Sequence, residues 1–130
     1  MKEVYEFLKK CETYYLATME EDQPRVRPFG TINIFEDKLY IQTGRVKDVS
    51  KQMKINPKVE ICGMVDGRWI RISATMVEDE RAEPKESMLA AYPSLKGRYS
   101  AHDGNTQAFY LKDAVATISS FSEDAKVIKF

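Results

Sequence analysis

The sequence predicts a mainly β fold: a six-stranded antiparallel β-barrel flanked by short helices. Three observations carry that prediction. Stretches that alternate apolar and polar residues, or are dense in β-branched and aromatic residues, fill most of the chain. The turns between them are short, which pairs neighbouring strands antiparallel. Six such strands within 130 residues would leave exposed edges unless the sheet closed on itself.

A helix opens the chain, because Val4, Phe7, Leu8 and Cys11 recur at i, i+3, i+4 and i+7. "TYYLATM" (13–19) follows as a strand, with one of Tyr14 and Tyr15 packed inward, and stops at the polar "EEDQP". "RVRPFGTINIF" (25–35) alternates throughout and is expected as one strand, turned by "EDK" into "LYIQT" (39–43). Its alternation assigns Val26, Pro28, Gly30, Ile32 and Ile34 to the core, and Arg25, Arg27, Phe29, Thr31 and Asn33 to the outside. A short helix follows Gly44 and ends at Asn56-Pro57, since a proline disfavours helical backbone in the residue before it.

"KVEICGMV" (58–65) and "RWIRISATMV" (68–77) flank Asp66-Gly67, a strong hairpin signal. On the second strand Ile70, Ile72, Ala74 and Met76 point inward, while Trp69, Arg71, Ser73 and Thr75 point out. A helix starts near Glu83, with Pro84 early and Met88, Leu89 and Tyr92 on one side. Residues 93–106 read as loop, "AFYLKDAVATISSF" (108–121) as the last long strand, and "KVIKF" as a short addition.

Twenty basic residues balance twenty acidic ones, so the net charge gives no reason to expect nucleic acid or a membrane as partner. Cys11 and Cys62 lie far apart in sequence, and a single His leaves no zinc-ligand spacing. The charged N-terminus is unlike a signal peptide, and no apolar run is long enough to span a bilayer. The chain is expected to be one cytoplasmic domain, residues 1–130.

Against that neutral background, "TGRVKDVSKQMK" (43–54) is conspicuous. At about 100° per residue, Val46, Val49 and Met53 form an apolar stripe and Lys47, Lys51 and Lys54 a basic one, with Ser50 between. A cation at the start of a helix opposes the helix dipole, and a bound anion would reverse that preference. A plain solvated basic face is the competing reading. The expected outer face adds Phe29 and Trp69 beside Arg25, Arg27 and Arg71, side chains that interfaces and planar-ligand sites enrich.

The ordered set "PRVRPF", "LYIQTG" and a Lys/Ser helix closing at "NPKV" resembles the pyridoxamine 5′-phosphate oxidase-like family of FMN-binding split β-barrels. The likeness is best over residues 13–77 and extends more weakly to "FYLKDAVATISSF". It implies a homodimer with flavin in the clefts between subunits. Arg25, Val26, Arg27 and Pro28 would line the flavin ring. Gln42 and Thr43 would reach the ring edge, ribityl chain or phosphate. Lys47, Ser50 and Lys51 would hold the phosphate, and Trp69 and Arg71 would complete the pocket from the partner subunit.

The resemblance further implies an oxidoreductase that passes hydride or electrons through FMN, with a small-molecule substrate or a nicotinamide donor as partner. An arginine near the ring would favour its reduced, negatively charged form. The chain has Asp48-Val49 where pyridoxamine phosphate oxidases proper carry an Arg-Lys pair, and it ends before their substrate-binding segment. It therefore resembles the short members of the family. A carrier or sensor holding flavin, deazaflavin or haem without turnover is the alternative. His102 reads as a solvent-exposed loop residue, Cys62 as a packed thiol, and Arg98 and Tyr99 as residues able to cap a ligand from the 93–106 loop.

Overall fold

The structure is a computed structural model that describes residues 1–130. The elements run α1 (Lys2–Cys11), β1 (Tyr14–Glu20), β2 (Gln23–Phe29), β3 (Asn33–Phe35), β4 (Lys38–Gly44), α2 (Asp48–Ile55), β5 (Lys58–Val65), β6 (Arg68–Asp79) and α3 (Ala82–Ala91). A 3₁₀ turn (Pro93–Gly97), β7 (Thr106–Ser120) and β8 (Lys126–Lys129) complete the chain. All strands join one antiparallel sheet in the order β2-β1-β5-β6-β7-β4-β3, with β8 added on β7.

The expected six strands become eight, because 25–35 is two strands rather than one and 126–129 pairs. β2 pairs with β1 while β3 pairs with β4, at opposite ends of the strand order. Gly30, Thr31 and Ile32 alone connect them, and a chain from Phe29 to Asn33 reaches at most about 14 Å. The two ends of the sheet must therefore lie close, which curls it into a barrel. The barrel stays split where β1–β2 faces β3–β4, and α2 packs on β1 and β4 across that side.

The break also resets the pleat. Val26, expected in the core, is 68% exposed, whereas Ile32 and Asn33 are both buried. Arg27 and Phe29 are half-buried instead, and Phe29 stacks on buried Tyr14 with ring centroids 6.0 Å apart. Alternation running through residues 25–35 misassigned these faces, because a crossing between strands has no obligation to keep their period.

Elsewhere the two-residue period is obeyed. Val59 and Ile61 of β5 and Ile70, Ile72, Ala74 and Met76 of β6 fill the barrel. β7 points Phe109 and Leu111 inward, then Ala114, Ala116 and Ile118. The change of phase falls at Asp113, at φ 52°, beside a register shift opposite Ser73 and Thr75. One extra residue in a bulge moves every later side chain to the other face. α1 seals one end with Val4, Phe7 and Leu8. α3 covers the outer side of β4, where Tyr40, Met88 and Ala108 form a second small core.

Asp66 and Gly67 sit at φ 52° and 73° between β5 and β6, the double positive φ of the expected tight hairpin. No helix is long and apolar enough to cross a membrane.

Candidate functional site

The corner after β4 is built from three segments distant in sequence. A Cβ on Gly44 would lie 2.9 Å from Asn105 Nδ2, so glycine is what lets the Asn105 side chain rest there. Asn105 Oδ1 accepts the Val46 amide at 3.2 Å, and its carbonyl accepts the Arg45 amide at 2.9 Å. Asp103 in turn fixes Asn105, its carboxylate accepting the amides of Ser100, Asn105 and Thr106 and the Thr106 hydroxyl. Those bonds, the Thr106 amide first, hold the Asp103 pKa well below the usual carboxylate range. The 3₁₀ turn then leans Leu95 and Tyr99 over the corner, tied by the Tyr99 amide to the Leu95 carbonyl.

Between that wall and the split side of the barrel lies a cavity of about 380 Å³, within the range of small-molecule sites. Arg27–Thr31, Gln42–Gly44, Val46, Lys47 and Val49 supply the other walls. Its charged side chains are Arg27 and Lys47, both cationic, and no carboxylate lines it. Two buried polar atoms in these walls, Gln42 Oε1 and Thr43 Oγ1, have no hydrogen-bond partner in the protein. Such atoms usually cost about 1–3 kcal/mol each when left unpaired. The start of α2 also lacks a side-chain cap, and while the Ser50 amide donates to the Lys47 carbonyl, the Asp48 and Val49 amides remain available to an anion.

A second cavity of about 500 Å³ adjoins the first through Arg27, Lys47 and Val49 and continues past Arg25, Val26 and Gln52. Arg27 is the wall between the two. Burial first, and the Arg25 charge after it, lower its pKa, while Asp48 pulls the other way.

Of the residues that sequence singled out, Arg27, Pro28, Gln42, Thr43 and Lys47 line the first cavity, and Arg25 and Val26 line the second. Arg25 is ion-paired with Glu20 at 2.9 Å. Lys47 immediately precedes α2 instead of occupying its first turn. Ser50 is turned away, 1% exposed, donating its hydroxyl to Gln107 Oε1 at 2.6 Å. The buried side of α2 spans Val49, Ser50, Gln52 and Met53, wider than the apolar stripe alone, because barrel polar groups meet it there.

Lys51 is exposed and lines neither cavity. Trp69 and Arg71 lie on the outer face of the barrel, away from this chain's cavity: Trp69 packs on Phe121 at 5.0 Å and Arg71 reaches Glu60 at 3.6 Å. His102 is exposed in its loop, 3.6 Å from Glu86. Cys62 is exposed rather than packed, since the outer sheet face it shares with Tyr15 carries no helix.

Sequence reading missed Thr31, Gly44, Leu95 and Asn105 as cavity residues. The "TG" of the corner and the 93–106 loop marked two of the places, but only the fold brings them together.

The sequence profile described as pyridoxamine 5′-phosphate oxidase matches residues 1–118. The chain belongs to that family. Among solved structures, a NimC/NimA family protein from Clostridium acetobutylicum is 46% identical, with a TM-score of 0.97 over 100% of this chain and 92% of that one. A pyridoxamine 5′-phosphate oxidase-related, FMN-binding protein from Nostoc punctiforme shares the fold at 12% identity, TM-score 0.64, covering 99% and 95%. A heme binding protein from Mycobacterium smegmatis does so at 11% identity, TM-score 0.73, covering 96% and 57%. No curated protein matches the chain in sequence. Within the pyridoxamine 5′-phosphate oxidase family, then, one barrel architecture accommodates this chain's split-side cavity, and relatives of the fold include binders of FMN and of haem.

Proposed function

We propose that the cavity binds FMN and that the protein is a flavin-dependent oxidoreductase acting on a small molecule. The observation that carries this reading is the pair of unpartnered buried atoms, Gln42 Oε1 and Thr43 Oγ1, in a carboxylate-free cavity beside an uncapped helix start. Lys47 and the first amides of α2 would take the phosphate. Arg27, Pro28 and Phe29 would face the ring, with Gln42 and Thr43 at its polar edge. Bound FMN would supply the hydride and electron chemistry. Arg27 would contribute positive charge that favours the reduced form, and Leu95 and Tyr99 would exclude water from the open side.

The family membership and the FMN-binding relative from Nostoc support flavin. Haem is the weaker reading, because no His, Cys or Met lines the cavity and Tyr99 is its one side chain of a type that ligates haem iron. A carrier that binds flavin without turnover is the second reading.

The proposal includes a homodimer with a cytoplasmic address. Register places Tyr15, Cys62, Arg71, Thr117 and Val127 in one row across the outer sheet face. Met64 and Phe121, 64% and 94% exposed, lie close by. An exposed aromatic and aliphatic face with a central arginine fits a protein interface, and a second copy is its proposed occupant.

The test begins with the visible spectrum of the purified protein and a titration with FMN. Saturable binding that Lys47→Glu weakens at least tenfold, while Lys51→Glu changes it little, supports the site. No binding by the unaltered protein overturns it. Anaerobic mixing of the loaded protein with NADH or NADPH then separates the two readings: bleaching of the flavin band means an enzyme, and none with either donor means a carrier.

A further inference from the structure

Arg27, the wall between the two cavities, is held from behind by a closed ring of polar side chains. Its Nη1 donates to Thr18 Oγ1 at 2.7 Å and to the Leu16 carbonyl at 3.2 Å, and its Nη2 donates to Gln52 Oε1 at 2.7 Å. The Thr18 hydroxyl donates to the same Gln52 oxygen at 2.5 Å, closing the ring. Thr18 and Gln52 are 2% and 7% exposed, so the ring lies in the interior of the split, where hydrogen bonds to a charged group are strong. Three elements meet in it: β1 supplies Thr18, β2 Arg27 and α2 Gln52.

Its acceptors are all neutral. The neighbouring Arg25 is paired with Glu20, whereas Arg27 is met by a hydroxyl, two carbonyls (Leu16 and, at 3.5 Å, Arg25) and an amide. A carboxylate at position 52 would still accept from the guanidinium but cancel its charge, and would give up the bond that Gln52 Nε2 donates to Glu20 Oε2 at 3.5 Å. An amide fixes its direction and leaves the charge in place, and the Arg27 Nε–H keeps no acceptor in this chain.

We infer that Gln52 and Thr18 are positioning residues: they aim the Arg27 guanidinium at the cavity wall and, being neutral, leave its positive charge to act on an electron-rich ligand there. The inference rests on the flavin reading for the nature of that ligand, but the positioning is testable without it.

Two measurements decide it, made on Gln52→Glu, Gln52→Leu and Thr18→Val proteins. The first is the place of Arg27 in ligand-free crystals: it stays in Gln52→Glu and swings away from its ring in Gln52→Leu, with Thr18→Val intermediate. The second is the midpoint potential of bound FMN. Gln52→Glu lowers the preference for reduced over oxidised flavin about tenfold, a potential more negative by about 30 mV for the two-electron couple.

A new carboxylate shifts a nearby potential through its own charge, so the role of the glutamine itself is read from Gln52→Leu: a merely structural glutamine leaves Arg27 in place there and the potential unchanged. An unmoved Arg27 in both Gln52→Leu and Thr18→Val crystals overturns the positioning. An unchanged potential in Gln52→Glu overturns the claim about charge. If the unaltered protein binds no FMN, the flavin reading fails, and the crystals alone still judge the positioning.

Discussion

Thr43 is 8% exposed and its hydroxyl has no partner, an arrangement that weakens the fold unless a ligand satisfies it. Thr43→Val keeps the branched shape and removes the orphan oxygen. The ligand-free protein should gain about 1 kcal/mol in chemical denaturation while its FMN affinity drops severalfold; a stability loss would argue against the orphan. Tyr40 makes a different kind of demand. Its ring is fully buried and its hydroxyl donates to Asp79 at 2.8 Å. Burial and then that bond raise its pKa from 10.0 to about 12. A group whose folded pKa is raised stabilises the fold below its unfolded pKa and loses that contribution through the folded one. Stability should therefore fall as pH rises from 10 towards 12, and Tyr40→Phe should flatten that limb of a pH–denaturation profile. Asp79 has the opposite sign. Its bonds to Arg81 first, and to Tyr40, hold its pKa well below 3.8, so its contribution is present above that value and is lost in stronger acid.

The strand-to-helix corner shows what an element's ends require of its neighbours. At the end of β4, Gly44 leaves free the space that Asn105 occupies, and Asn105 in turn accepts the Val46 amide in the turn that leads to α2. Gly44→Ala should push Asn105 off Val46, destabilise by about 1 kcal/mol and weaken FMN binding in the same protein, both read by titration. "TG" before a basic helix was a legible signal of the corner. The rotation of α2 was less legible: Lys47, Lys51 and Lys54 made one stripe on paper, yet only Lys47 lines the cavities. Polar Ser50 and Gln52 face inward because Gln107, Thr18 and Arg27 await them there, partners no local pattern could announce.

At the scale of the molecule, the crossing at Gly30–Ile32 closes the sheet and creates the split that becomes the cavity. The crossing is itself tied down by phenols: Tyr14 donates to the Thr31 carbonyl, and Tyr92 bonds both the amide and the carbonyl of Ile32. Burial, chiefly, raises the Tyr14 pKa well above its ordinary value. The outer sheet face carries the assembly prediction. Trp69→Glu, placed beside Phe121 and Met64, should shift sedimentation from dimer to monomer and leave the far-UV spectrum unchanged. If the partner completes the site, FMN affinity should drop in parallel; a monomeric unaltered protein would end the dimer proposal.

Strand alternation, the Asp66-Gly67 turn and the apolar helix stripes determined most of the strands and helices by themselves, because period and turn chemistry act between residues close in sequence. Arg27, Gln42, Thr43 and Lys47 were likewise legible beside the corner. Tertiary structure alone decided that 25–35 breaks in two, that Val26 faces out and Ser50 in, and that Leu95 and Asn105 join Tyr99 over the cavity. Those outcomes depend on which distant segments meet across the split, and a burial preference read along one strand carries no information about what lies opposite it.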